Sequence, residues 1–173
     1  VTVEVHLAAG LPSFNIVGLP ETEVKESKDR VRSAIQNALL DFPAKRITVN
    51  LAPADLPKAS GRFDLPIALG ILIASGQLKV KNLAQYEFAG ELSLSGELRP
   101  ITGALAMTYG IVREAQTAVS APAATPTVVL PEANCAEAAL VSGAHIWSAK
   151  SLLDVCAKLR SPDTQEPVVS SES

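Results

Sequence analysis

The stretch that most constrains this chain is "GRFDLPIALGILIAS", Gly61 to Ser75, where a charged turn runs straight into an apolar helix. Its longest clean apolar run, Leu65 to Ala74, is too short to span a bilayer and contains Pro66 and Gly70. Asp64 and Pro66 fall in the first turn of the predicted helix. Free backbone N–H groups at such a terminus can hold a developing anion, and many proteins present a catalytic group there. The residue displayed here is Ile67, which has no chemistry.

The flanking patterns predict an α/β protein. Val1, Val3, Val5 and Leu7 alternate with polar residues, which predicts a half-buried strand, and "SFNIVGL" predicts a second. "PETEVKESKDRVRSAIQNALL" predicts a helix opened by Pro20, with Glu21 and Glu23 in its first turn. Its expected apolar stripe is Val24, Val31, Ile35, Ala38 and Leu39, with Glu21/Lys25 and Glu26/Arg30 paired on the wet side. "KRITVNLAP" predicts a third strand, and "YEFAGELSLSGELRPI" two strands joined at Ser95-Gly96. "TGALAMTYGIVREA" predicts a helix with Leu105, Tyr109 and Val112 on one side. "TPTVVLP" and "HIWS" predict strands, "EANCAEAALV" a short helix, and "SLLDVCAKL" a last helix with Ser151 and Asp154 spaced as a capping box. Hairpins mixed with crossover helices give a mixed sheet. From Ser161 the composition turns to Ser, Pro and Glu, so residues 1–160 are expected to form one domain and 161–173 a disordered linker.

Function classes are narrowed by what the sequence carries. A chain of 173 residues, 47% hydrophobic, suits one domain, and only 4% aromatic leaves few base-stacking platforms. Residues 1–81 carry a net +2 and residues 82–173 a net −5, for −3 overall, which is not a whole-domain nucleic-acid footprint. Cys135 and Cys156 stand apart, as buried cytosolic thiols do, and isolated His6 and His145 are expected to be structural. P-loop, GxGxxG, HExxH and GxSxG patterns are all missing from the sequence. No metal-ligand spacing is found. Asp55, Asp64 and Glu91 could assemble paired carboxylates, but nothing in the sequence brings them together. The only Met is Met107, and Val1 already reads as mid-strand, so the chain is expected to be a piece of a longer protein.

Two readings fit the loop Ala52–Asp64. Asp55 and Asp64 bracket Lys58, Ser60 and Arg62, so it is either a polar surface loop held by local ion pairs or a docking surface for nucleic acid or a neighbouring subunit. In the second reading Lys58 and Arg62 make the contacts, and multiplication around a ring of subunits strengthens them. Lys25, Lys28, Arg30 and Arg32 form a basic cluster that reads first as a solvated face and second as a contact surface.

"VGLPETEVKESKDRVRSAI", "ITVNLAPADLPKASGRFDLPIALGILIASGQL" and "YEFAGELSLSGELRPI" resemble the N-terminal domain of the YifB/ComM family of magnesium-chelatase-like AAA+ ATPases. The resemblance runs from Val1 to about Leu159. It implies a fold similar to the proteolytic domain of Lon and to ribosomal protein S5 domain 2, with a short strand before Val1. In Lon the run Lys-Asp-Gly-Pro-Ser-Ala-Gly carries the nucleophile. "RFDLPIAL" sets Asp64 and Pro66 on its Asp and Pro, and Ile67 on its Ser. "PITGALAM" sets Met107 where Lon keeps the catalytic Lys. A Ser/Lys dyad needs a hydroxyl proton and a neutral amine to take it, and neither Ile nor Met supplies either.

The resemblance further implies a P-loop ATPase module beyond the linker. ATP and Mg would bind there, and no cofactor or metal in residues 1–173. The expected whole is a cytoplasmic homo-hexamer that drives branch migration of DNA in natural transformation. Its expected partners are its own ATPase module, neighbouring subunits and DNA, with no membrane. Lys58, Arg62, Lys25 and Arg32 are the expected DNA or inter-subunit contacts, Asp55, Asp64 and Pro66 the loop-structural residues. The alternatives are an interaction module without DNA contact and a peptidase that has moved its nucleophile to Ser60.

Overall fold

The computed structural model describes residues 2–52, 61–117 and 125–160, and the backbone of Val169–Ser170. Among these residues the α/β expectation holds, with helices packed on mixed sheets. One sheet has the order β1-β3-β2, built from β1 (Thr2–Ala8), β2 (Ser13–Val17) and β3 (Arg46–Ala52). β1 is antiparallel to β3, whereas β2 runs parallel to it after crossing over through α1 (Glu21–Asn37). Alternation puts Ile47, Val49 and Leu51 of β3 inward, together with Phe14 and Ile16 of β2. α2 (Asp64–Ala74) is apolar all round and buried, as a central helix must be.

Three strands expected from "YEFAGELSLSGELRPI" and "TPTVVLP" are distributed differently. β4 (Tyr86–Phe88) follows a short 3-10 turn and lies parallel to β7 (Thr127–Pro131) in a second sheet of order β4-β7-β8-β9. Only β5 (Glu91–Leu92) and β6 (Leu98–Arg99) make the hairpin, turning through Ser93–Gly96. Gly90 ends the β4 segment by accepting from Leu65 N–H at 3.1 Å and donating to the Arg62 carbonyl at 2.9 Å, which stops it from running on into β5. β8 (His145–Ala149) is parallel to β7, and β9 (Val169–Ser170) pairs antiparallel with β8. The linker expectation for 161–173 otherwise lies outside the described residues.

The second sheet separates two cores. Val129 and Trp147 face the larger one, with α1, α2, the first sheet and α5 (Leu152–Arg160). Val128, Leu130 and Ile146 face the smaller, under α3 (Ala104–Thr117) and α4 (Glu132–Ala138). Two expected stripes shift. α3 buries Ala104, Thr108 and Val112, while Leu105 and Tyr109 stay 43% and 55% exposed. Small residues bring α3 close to α4, and Thr108 satisfies its hydroxyl on the Ala104 carbonyl at 2.8 Å.

Leu39 is the second departure. Helix α1 ends with Leu40 N–H on the Ile35 carbonyl and Leu39 N–H on the Gln36 carbonyl, a Schellman closure. That closure puts Leu39 at φ 60°, in the left-handed region, and leaves it 93% exposed rather than on the apolar stripe. At α5 Ser151 caps as expected, its Oγ accepting from Asp154 N–H at 3.1 Å.

Candidate functional site

The turn 61–63 and the start of α2 form the presenting element. Gly61 has φ 68°, and a Cβ there would lie 2.6 Å from Glu91 Oε1, so both conformation and space demand glycine. Phe63 is the N-cap, and Asp64, Leu65 and Pro66 fill the first positions. Pro is tolerated there because a first-turn N–H has no intrahelical partner to lose. Every other N–H of this turn is already taken. Asp64 N–H donates to the Gly61 carbonyl at 2.9 Å, Leu65 N–H to the Gly90 carbonyl at 3.1 Å, and Ile67 N–H to the Phe63 carbonyl at 3.0 Å. No free donor pair remains at the turn for an oxyanion.

What the turn presents points inward. The Asp64 carboxylate is 0% exposed and accepts four donors. Ser27 Oγ–H lies at 2.7 Å, Arg30 Nε at 2.6 Å, Arg30 Nη2 at 3.3 Å and Leu92 N–H at 3.1 Å. Burial pushes the Asp64 carboxyl above its ordinary value, against the Arg30 and Ser27 hydrogen bonds, the Arg30 charge and the Leu92 N–H. Burial alone would lower the Arg30 guanidinium, but the Asp64 hydrogen bond and the charges of Asp64, Glu91 and Glu26 leave it raised. The two directions favour opposite states of the pair, and geometry decides between them. Each partner of the carboxylate is a donor, so no acceptor waits for an acid proton, and the pair is ionic. Glu91 does come near, with its Oε1 3.9 Å from Arg30 Nε, and Glu26 lies 3.7 Å from Arg30 Nη1. Asp64 and Glu91 are therefore bridged by a shared cation, an arrangement for holding α1, α2 and β5 together.

The two dyad-aligned positions have separate fates. Ile67 is 0% exposed in the larger core. Met107 is half-buried and packs against the smaller one. Pro66 and Met107 share the wall of a cavity of about 470 Å³ with Phe63, Leu69, Phe88 and Ile111. Arg62, Glu87 and Glu114 also line it.

The expected cationic contacts are dispersed. Arg62 lays its guanidinium 5.1 Å over the Phe63 ring, and Arg32 does the same over Phe42 at 5.1 Å. Lys25 is exposed on the same helix as Arg32, two turns earlier. Lys58, Asp55 and Ser60 lie outside the described residues. Both imidazoles, His6 on β1 and His145 at the start of β8, are exposed rather than structural. The cysteines are free and buried, and burial pushes the Cys135 thiol up to about 11 and raises Cys156 as well. Among the described residues no three His, Cys, Asp or Glu side chains gather into a metal-binding group.

Sequence reasoning overlooked Ser27, Arg30 and Asn134. Ser27 sits between Val24 and Val31 on the buried side of α1, and a hydroxyl on an apolar stripe was a legible sign of a buried partner. Asn134 is buried in α4 and clamps the segment before α3, accepting from Ile101 N–H and donating to its carbonyl, each at 2.9 Å.

Fold and site together define a class: a mixed α/β domain that keeps a protease-like presenting turn without a nucleophile, a base or an open anion hole at that turn. Residues 3–125 match the family model described as subunit ChlI of Mg-chelatase. The chain is 51% identical over 155 residues to competence protein ComM of Haemophilus influenzae, covering 90% of this chain and 28% of that protein. It is 48% identical over 159 residues to YifB of Salmonella typhimurium, covering 92% and 29%. Rv2897c of Mycobacterium tuberculosis is 35% identical over 152 residues, covering 88% and 28%. The chain belongs to the ComM/YifB family of magnesium-chelatase-like proteins, and it spans less than a third of the length of these relatives.

Proposed function

We propose that this chain is a non-proteolytic, Lon-like accessory domain of a bacterial magnesium-chelatase-like AAA+ ATPase. In this reading it helps a hexameric ring assemble and engage DNA, in a cytoplasmic branch-migration motor of natural transformation. One observation carries the non-proteolytic part. The presenting turn has spent its N–H groups on backbone carbonyls, and the aligned nucleophile position holds a fully buried isoleucine. ATP and Mg do not fit residues 1–173, which have no phosphate-cradling P-loop, so nucleotide chemistry belongs to a separate module. No described helix is long and apolar enough to cross a membrane.

The test combines three assays on the purified chain. Unfolded-protein substrate and a serine-reactive phosphonate should leave no cleavage and no adduct, and ATP should not turn over; an adduct on Ser60 would restore the peptidase reading. Charge reversal at Lys25, Arg32, Lys58 and Arg62 should weaken DNA binding and reduce its salt slope by about one for each phosphate no longer neutralised. Unchanged binding would remove DNA from their role. A second reading, an interaction module with no DNA contact, is favoured by Arg62 and Arg32, whose guanidinium groups already stack on Phe63 and Phe42.

A further inference from the structure

The cavity beside Pro66 and Met107 lies between two sheet ends. β1 is the outermost strand of its sheet and β4 the outermost strand of the other, and both contribute to the cavity wall, β1 through Val3 and β4 through Phe88 and Ala89. In an antiparallel pair every second N–H and C=O of a strand points away from its partner. On β1 these groups face away from β3, and among the described residues no backbone hydrogen bond outside the β1–β3 ladder reaches them. A seven-residue edge with Val3, Val5 and Leu7 only half-covered is the kind of edge that proteins cover rather than leave open.

We infer that one further β-strand, supplied by residues that precede Val1 in the parent polypeptide, adds to the free edge of β1 and fills this cavity. The wall is apolar apart from Arg62, Glu87 and Glu114, and no buried polar side chain converges on the space, as a small polar ligand would require. Size agrees with a strand. A cavity of about 150 Å³ is what one large aliphatic side chain leaves behind, so about 470 Å³ takes roughly three such side chains. Three residues on one face of a strand span about five positions, roughly 17 Å. The occupant comes from the same polypeptide because Val3 itself lines the cavity. Chain entering β1 arrives beside the space, and a turn of about two to five residues is enough to lay the preceding segment back along β1. The strand would cover Pro66 and Met107 from the open side, closing the position that the resemblance aligns with a catalytic amine. The inference is independent of whether the domain touches DNA.

Gly110 provides the decisive variant, since it lines the cavity from α3 and a Cβ there meets nothing within 4 Å. Gly110→Ala adds helix propensity alone, whereas Gly110→Leu adds propensity and occupies the space. In the parent protein, Gly110→Leu should melt below Gly110→Ala; in the 173-residue chain the order should reverse. Amide exchange in the parent should be roughly tenfold or more slower along the outward N–H groups of β1 than in the 173-residue chain. If Gly110→Leu melts at or above Gly110→Ala in the parent, or β1 exchanges equally fast in both, the inference is overturned. Protection of β1 that rises with protein concentration would assign the edge to a second copy and overturn it as well.

Discussion

Removing the Asp64 carboxylate is the sharpest test of how this domain is held together. In Asp64→Ala, Arg30 loses both its Nε and Nη2 partners, Ser27 loses its acceptor, and Leu92 N–H is left buried without one. Breaking one side of a buried ion pair costs about 3–5 kcal/mol, because the surviving charge stays desolvated. Arg30 keeps 19% side-chain exposure and Glu26 and Glu91 within 4 Å, so part of its charge is compensated and the lower half of that range applies. At about 2–4 °C per kcal/mol for a chain of this size, the melting temperature should fall by roughly 6–16 °C.

The measurement is urea and thermal unfolding of Asp64→Ala, Arg30→Ala and the double variant. Because the residues are in direct contact, the double variant should lose about 1–3 kcal/mol less than the sum of the singles. Asp64→Asn should fall between wild type and Asp64→Ala, since an amide oxygen still accepts from Ser27 or Leu92. A loss below about 1 kcal/mol in Asp64→Ala, in the range of an exposed ion pair, would refute the keystone role.

Three further substitutions or reactions follow from the same geometry. Leu39→Gly should stabilise the chain by up to about 1 kcal/mol in urea denaturation, because it relieves a left-handed leucine and gives up no buried area. Asn134→Ala should cost about 2–4 kcal/mol by the same assay, orphaning the Ile101 N–H and C=O at about 1–3 kcal/mol each. Cys135, with its thiol pushed up to about 11, is roughly one part in a thousand thiolate at pH 8 even where reagent reaches it. Thiol-reagent labelling of the native chain at pH 8 should therefore be slow and should track global unfolding; fast labelling would show that the α4 environment is open.

Local pattern announced most of the elements, and tertiary pairing decided where reading failed. Alternation in "VTVEVHL" and "KRITVNLAP" and the caps Pro20 and Ser151 are signals carried by adjacent residues, and β1, β3, α1 and α5 follow them. Leu105 and Tyr109 are spaced like a buried stripe, yet Ala104 and Thr108 take the inside of α3 because small residues permit closer approach. Leu39 continues the apolar period of α1, but the chain must reverse there, and Schellman closure outweighs the cost of a left-handed leucine. Tyr86–Phe88 pairs with a strand about forty residues downstream, a choice no short window encodes. The site shows the same division. Asp64 could be seen at a helix start, and Ser27 on an apolar stripe, but their meeting across 37 residues is a product of packing.

The presenting turn persists without a nucleophile because it has a second task, which the sequence states only through its charged residues. A helix N-terminus that served chemistry would need its N–H groups free and its displayed side chain polar and reachable. Here Gly61, Phe63 and Gly90 supply carbonyls that consume those donors, and Ile67 is sealed into the larger core. Asp64 is the one group of the turn whose chemistry is fully used, as the acceptor that ties α1 to α2 and to the hairpin strand β5. Replacing Ile67 by serine would thus place a hydroxyl among aliphatic side chains with no amine at Met107 to take its proton and no free N–H to hold an anion. Restoring hydrolysis would require reopening the turn, and reopening the turn would dismantle the contact that Asp64 makes.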